Sequence, residues 1–433
     1  MDRENQIKVL IVVGARPNFM KAAPIRLAMC RYNEQQKGRK IRLLLVHTGQ
    51  HYDELMSDRF FVDLCLPKPD ISLGGGSGSQ AAQTGEILKK FEDVLLREWP
   101  NMVIVVGDVN STVACAFATA KLPTILDQPR PLLVHVEAGL RSFDRTMPEE
   151  INRIVTDQLA DILFVTERSG LANLRREGIP SSKVFFVGNT MIDSLLAFKA
   201  RADASPILEL LGLLANSHRN GSQGSVKPYA LLTLHRPSNV DEAEAFRNIL
   251  EGLSELSSVL RIIFPVHPRT RARIQEFGFD HYFRGRLNQD RSGIVPIDPL
   301  GYLDFLCLMK NARLVLTDSG GVQEETTCLG IRCVTIRKST ERPITVQEGT
   351  NVIAGTSILE IRKAITRQMS RKPKIRIPEK WDGKAAQRIV PILVSAVGER
   401  VSLFNGMSGN VGRTPSLAPG AVTLLKGGDS SAG

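Results

Sequence analysis

The sequence predicts an α/β protein made of two successive halves with a cleft between them. Three observations carry that prediction. Short apolar runs of strand length recur without alternation, as strands buried on both faces do. Most are followed by a Gly- or Asp-containing loop and then a stretch of helical period, the repeating unit of a parallel sheet. The series restarts at residue 229 after a polar stretch over 216–225. In both halves charged groups collect just after the apolar runs, where open α/β sheets bind ligands.

Residues 8–13, KVLIVV, read as a first buried strand that breaks at Gly14-Ala15-Arg16-Pro17-Asn18 before a helix from about residue 19. This loop is not G-x-G-x-x-G, so the dinucleotide fingerprint is absent. Arg16 and Lys21 put two cations near the strand's C-terminal end; as solvated surface charges they would need no function. A strand over 42–47 runs into Thr48-Gly49-Gln50-His51, and the glycine-rich stretch 73–85 predicts a mobile loop before a helix over 86–97. The strand 102–106 ends at Gly107-Asp108, where Asp108 reads equally as a plain helix N-cap. The strand 132–136 ends in Glu137-Ala138-Gly139-Leu140-Arg141. A carboxylate directly after a buried strand is expected in the cleft, where desolvation raises its pKa toward a catalytic value. Met147-Pro148-Glu149-Glu150 then opens a helix over 151–160, and Glu149 there also complements the helix dipole. Strands over 161–166 and 184–187 complete the first half, and 199–227 connects it to the second.

The second half begins with a strand over 229–233, ending in His235-Arg236-Pro237-Ser238-Asn239. Strands over 260–266 and 294–297 follow, the first ending at His267 and the second leading to Pro299-Leu300-Gly301-Tyr302. Then comes ARLVLTDSGGVQEETTCLG, residues 312–330: a short strand, a tight loop and a helix over 322–329 with Gly330 as its stop. Asp318 or Ser319 can cap this helix, and Gly320-Gly321 removes side chains at its start. Exposed N–H groups backed by the macrodipole make a phosphate site. Glu324 and Glu325 follow one turn in, where a carboxylate can accept from a ribose diol; together they suit a nucleoside diphosphate. An ordinary strand–helix turn would account for Ser-Gly-Gly alone, but the carboxylates and the segment Thr340-Glu341-Arg342-Pro343 favour a ligand. A strand over 333–336 and a helix over 381–396 follow. The tail 402–433 is rich in Gly, Ser and Pro without periodicity and predicts disorder.

Length sets the scale at two or three domains for 433 residues. A net charge of +11 suits an anionic small substrate, and with aromatics at 6% and no basic run interleaved with them, nucleic acid is not an expected partner. Six scattered cysteines without a Cys-x-x-Cys pair read as reduced thiols of a cytoplasmic protein. Seven histidines show no metal-ligand spacing, so no metal is expected. The polar start argues against a signal peptide, and no apolar run reaches membrane-spanning length.

The succession GARPNFMKAAP, TGQHYD, VVGDVNST, HVEAGLRSFDRTMPEEINR, GNTMID, TLHRPSNVD, PVHPRT and TDSGGVQEE…TERP resembles the non-hydrolysing UDP-N-acetylglucosamine 2-epimerases, in order, from Lys8 to about Val397. The resemblance implies a GT-B fold: a Rossmann-like domain over 1–200, a second, nucleotide-binding one over 201–378, and a helix over about 379–398 packing back on the first. It implies interconversion of UDP-N-acetylglucosamine and UDP-N-acetylmannosamine without metal or redox cofactor, and a homodimer. By motif it makes Asp108, Glu137, Glu149 and His235 catalytic. It gives substrate binding to Arg16, Lys21, Arg141, His267, Ser319, Gly320, Gly321, Glu325 and Arg342, and a UDP-N-acetylglucosamine activator site to Gln50 and His51. Many members carry Arg-Glu-Asn at or near the place where this chain has Pro237-Ser238-Asn239. A hydrolysing epimerase, a GT-B glycosyltransferase and a non-catalytic nucleotide-sugar sensor are the competing readings. Three nearby carboxylates argue against a sensor of an anionic ligand.

Overall fold

Two parallel sheets form the molecule. The computed structural model describes residues 6–35, 38–49, 63–64, 66–75, 78–123, 129–215, 225–283, 292–370 and 375–408; the side chains of Arg16 and of 401–408 lie outside that description, as do Gln50 and His51. The first sheet contains β1 (Gln6–Val13), β2 (Lys40–His47), β3 (Ile71–Ser72), β4 (Met102–Val106), β5 (Leu132–Ala138), β6 (Ile162–Val165) and β7 (Val184–Phe186), in the order β3-β2-β1-β4-β5-β6-β7. The second contains β8 (Tyr229–Thr233), β9 (Arg261–Pro265), β10 (Ile294–Ile297), β11 (Leu314–Thr317), β12 (Cys333–Thr335) and β13 (Asn351–Ile353), in the order β10-β9-β8-β11-β12-β13. Every residue of β4 and β5 is buried, which is why these strands read as unbroken apolar runs.

In each sheet the order reverses once, between β1 and β4 and between β8 and β11. Loops leaving the two strands at such a point diverge to opposite faces and open a crevice at their C-terminal ends. Both crevices contribute to one cleft, lined from the first domain by Lys21 and Asp108 and from the second by His235 and Ser319. This is the GT-B arrangement of two Rossmann-like domains.

Two sequence expectations need correction. The glycine-rich stretch 73–85 is not all loop: a helix, Gln80–Glu98, begins inside it, and Ser79 caps it by accepting the Ala82 N–H at 3.3 Å. Gly85 costs this helix about 1 kcal/mol relative to Ala, which burial of the Ile87, Phe91, Val94 and Leu95 face outweighs. The order at the end of the chain also extends beyond Ser402, because the last helix runs Ala385–Ser408; residues 409–433 lie outside the described residues.

That last helix is tied to the first domain. Asp193 accepts the N–H groups of Ala385 at 3.1 Å and Ala386 at 2.7 Å, and the buried Trp381 donates its indole N–H to Thr166 O at 3.0 Å. Ile389, Val390, Leu393 and Val397 bury the helix's apolar side. No helix among the described residues is long and apolar enough to cross a membrane.

Candidate active site

The first-domain wall is built on the ends of β1, β4 and β5. Asn18 accepts the N–H groups of Gly14 at 3.1 Å and Ala15 at 3.0 Å and donates to Val106 O at 2.9 Å, tying the loop after β1 to the end of β4. One turn further along the helix Arg16–Gln35, Lys21 reaches back and donates to Glu137 Oε1 at 2.7 Å. Asp108 is not a helix cap. Val109 occupies the cap position of Asn110–Lys121, and the Asp108 carboxylate pairs with the buried Arg153. Burial pushes the Asp108 carboxyl up, but Arg153, then Lys21 and Arg342, outweigh it and hold the group below its ordinary value.

Arg153 also holds Glu150 at 2.6 Å, and Glu150 in turn accepts the N–H groups of Ser142 at 3.0 Å and Phe143 at 2.9 Å. Of the adjacent pair at the start of Pro148–Leu159, Glu150 is therefore spent on folding the preceding loop, and Glu149 lines the cleft.

Glu137 sits at a bulge in β5, between Val136 and Ala138, with φ at 75°. A left-handed non-glycine residue costs of order 1–3 kcal/mol and persists where the surroundings hold it. Here Lys21 and Arg342 do so: Arg342 Nη2 donates to the same Oε1 at 3.0 Å. Both cations cover the carboxylate, so Glu137 is buried behind the cleft wall and not open to it, as its strand-end position had suggested. Its Oε2 is buried without a hydrogen-bond partner among the described residues.

The second-domain wall centres on the helix Gly320–Leu329. Neither Asp318 nor Ser319 caps it: Ser319 is at the cap position without a side-chain bond, leaving the first N–H groups to face the cleft. Asp318 is fully buried and accepts the N–H groups of His235 at 3.0 Å and Arg236 at 2.9 Å, while pairing with His235 Nδ1 at 2.8 Å. Asn239 donates to the same carboxylate at 3.2 Å. Burial raises the Asp318 pKa, and the His235 contact with the backbone bonds more than offsets it, so the group lies below its ordinary value. Asp318 thus presents His235 and Arg236 to the cleft. Glu325 lines the cleft and accepts from Tyr302 Oη at 3.0 Å.

Arg342 joins the walls. Besides Glu137, its guanidinium meets Glu341 at 2.5 Å and Glu324 at 2.9 Å. A Cβ placed on Gly320 would come within 2.6 Å of Glu341 Oε1 and 2.7 Å of Arg342 Nη1, so only glycine lets this group approach the helix start.

The cleft brings together Lys21, Asp108, Glu149, His235, Ser319, Gly320, Gly321, Glu325 and Arg342. It does not bring in Arg141 or His267. Arg141 is engaged by Asp157 at 2.7 Å and by both oxygens of Glu177 at 2.8 and 2.6 Å. Asp157 also holds His135 at 2.6 Å, completing a buried structural network beside the site. His267 is the N-cap of Pro268–Glu276, accepting the Arg269 N–H at 3.4 Å. Sequence reasoning missed Arg153, Tyr302 and Asp318 as site builders. Tyr302 did carry a signal, since it follows a Pro-Leu-Gly loop after an apolar run; Arg153 looked like any helix surface charge.

An uncapped helix start beside an arginine can hold a diphosphate, Glu325 can accept from a ribose, and carboxylates opposite can move protons. A family model described as UDP-N-acetylglucosamine 2-epimerase matches residues 33–394. A Methanocaldococcus jannaschii relative of that name is 42% identical over 390 residues, covering 89% of this chain and 99% of the relative. A Pseudomonas aeruginosa protein, UDP-2,3-diacetamido-2,3-dideoxy-D-glucuronate 2-epimerase, is 42% identical over 354 residues, 81% of this chain and 89% of its own. The crystal structure of the Methanocaldococcus jannaschii UDP-GlcNAc 2-epimerase in complex with UDP-GlcNAc and UDP superposes with a TM-score of 0.77 at 40% identity, covering 90% of this chain and all of that one.

Proposed function

The chain belongs to the UDP-N-acetylglucosamine 2-epimerase family, and from that premise we propose that it interconverts UDP-N-acetylglucosamine and UDP-N-acetylmannosamine without hydrolysis, by eliminating and re-adding UDP. The observation that carries the reading is an uncapped, arginine-flanked helix start facing Asp108 and Glu149 across one cleft, with Glu137 directly behind Arg342. The diphosphate lies on the N–H groups of 320–321 with Arg342, and the ribose on Glu325. Arg16, whose side chain is outside the description, and His235 complete the phosphate grip.

The hydrogen on carbon 2 is not acidic, because no carbonyl adjoins it. Breaking the anomeric carbon–oxygen bond develops positive charge next to carbon 2, and a carboxylate then takes the proton. UDP departs with the bonding electrons and a 2-acetamidoglucal remains. Re-addition of UDP with proton delivery to the other face inverts carbon 2. One positioned acid or base contributes roughly 100- to 10,000-fold. The proposal extends to a cytoplasmic homodimer that serves cell-surface polysaccharide synthesis, and to an activator site at Gln50 and His51.

Turnover in deuterium oxide should place deuterium at carbon 2 of the product, and an oxygen-18 label in the anomeric bridge should scramble into the non-bridging positions of the β-phosphate. Asp108→Asn and Glu149→Gln, which alter the two catalytic carboxylates that line the cleft, should each lose deuterium incorporation and epimerisation together while still binding UDP. Release of free N-acetylmannosamine would replace this reading with a hydrolysing enzyme; epimerisation with neither deuterium nor scrambling would remove the elimination route. The similarity to the diacetamidoglucuronate enzyme favours one second reading, so both nucleotide sugars belong in the assay. Turnover of that sugar alone would keep the reaction and change the substrate.

A further inference from the structure

Tyr302 belongs to the second domain and is gripped by the first. Its ring lies edge-on to Phe198, with centroids 6.4 Å apart, and Phe198 stands on the helix Thr190–Asp203 that follows β7. Its backbone N–H, at the start of the helix Tyr302–Asn311, donates to Asp63 Oδ2 at 3.0 Å, and Asp63 lies between β2 and β3. Gly301 holds the cap position of that helix and has no side chain to cap it, so a carboxylate from the first domain supplies the bond. Arg201 in turn donates to Asp63 O at 2.9 Å. A buried tyrosine needs some partner for its hydroxyl. Tyr229 meets that need in the core with a backbone carbonyl, Leu308 O. Tyr302 instead donates to Glu325 Oε1 at 3.0 Å, a carboxylate that lines the cleft.

We propose that Tyr302 is a positioning residue for ribose recognition: its hydroxyl holds Glu325 in the orientation that accepts from the diol, so the protein distinguishes ribose from a deoxyribose through a bond the sugar does not make. The proposal rests on the nucleotide placement above. A glutamate left free loses rotamer freedom when a ligand fixes it, and a bond made beforehand removes that cost. The grip of Phe198 and Asp63 fixes the ring, and with it the donor. A carboxylate accepts about four hydrogen bonds, so the one from Tyr302 does not exhaust Glu325. Burial, and then the charge of Glu325, hold the Tyr302 phenol well above its ordinary pKa, so it remains a donor.

The test compares UDP with its 2′,3′-dideoxy analogue, which lacks both ribose hydroxyls. Calorimetry on the full chain should give the wild type about a hundredfold preference for UDP, about tenfold for each lost bond to a charged group. Tyr302→Phe keeps the ring and its contact with Phe198 and removes only the hydroxyl. It should bind UDP about tenfold more weakly and the dideoxy analogue within about twofold of wild type, so the preference narrows. A hydroxyl that only held the domains together would weaken both ligands alike, and that result would overturn the proposal. So would a preference equal to the wild type's, or a variant that does not fold, since the hydroxyl would then serve the core. Repeating the substitution in a Glu325→Gln background gives a second readout. There the loss of UDP affinity should shrink, because the residue through which Tyr302 acts is already altered; an undiminished loss would show that the hydroxyl acts elsewhere. A wild type that binds both ligands equally would instead remove the ribose from Glu325, the reading on which the proposal stands.

Discussion

Glu324 and Glu325 are adjacent in sequence and have different surroundings. Successive helical residues point about 100° apart, so one turns beneath Arg342 and the other toward the cleft and Tyr302. Glu325→Gln keeps the size and the Tyr302 bond but weakens a charge-assisted acceptor, which contributes about 1.5–3 kcal/mol. UDP affinity by calorimetry should fall about tenfold or more; an unchanged constant would move the ribose elsewhere. At this scale the sequence was partly legible. Asp108, Glu149, His235 and Ser319 follow strands or start helices, and position alone brought them to the cleft. Arg141 and His267 carried the same positional signal. Yet Arg141 turned to Asp157 and Glu177, and His267 to its own helix's N–H. A strand end specifies which edge of the sheet a residue occupies; the direction of its side chain depends on partners far along the chain.

Among the elements, the start of Gly320–Leu329 is the one on which the proposed diphosphate placement depends. Ala at 320 would set a Cβ against Glu341 and Arg342, both buried and mutually paired. Gly320→Ala should therefore weaken UDP binding by more than tenfold while the chain still folds, since an alanine is favourable inside a helix. Affinity within twofold of wild type, measured by calorimetry, would show that the pair gives way. The helix itself was readable from its strand, glycines and Gly330. Its lack of a side-chain cap was not, because Asp318 and Ser319 are both good capping types. Asp318 is drawn off by the backbone of β8's exit loop, 82 and 83 residues distant. The helix Gln80–Glu98 shows the opposite failure: local glycines suggested loop, and a buried stripe supplied by tertiary packing overrode them.

For the whole molecule, the return of the chain to the first domain holds the final helix in place. Trp381 is fully buried and hydrogen-bonded, and Trp381→Ala removes a large apolar group and leaves Thr166 O without its donor. The loss should be about 3–5 kcal/mol, seen calorimetrically as a fall of several degrees in Tm. A change below about 2 °C would show that the crossing is held elsewhere. The α/β class, the two halves and the edge at which the cleft opens follow from the sequence alone. Buried parallel strands must be apolar, and their polar groups must fall at the ends, so both features are written locally. Only the tertiary structure decided that Glu137 lies behind Lys21 and Arg342, that Asp318 aims His235, and that Glu324 shares a guanidinium with a residue 187 positions away. Those contacts join residues whose separation carries no period, and their electrostatics exist only once burial has removed the water that would screen them.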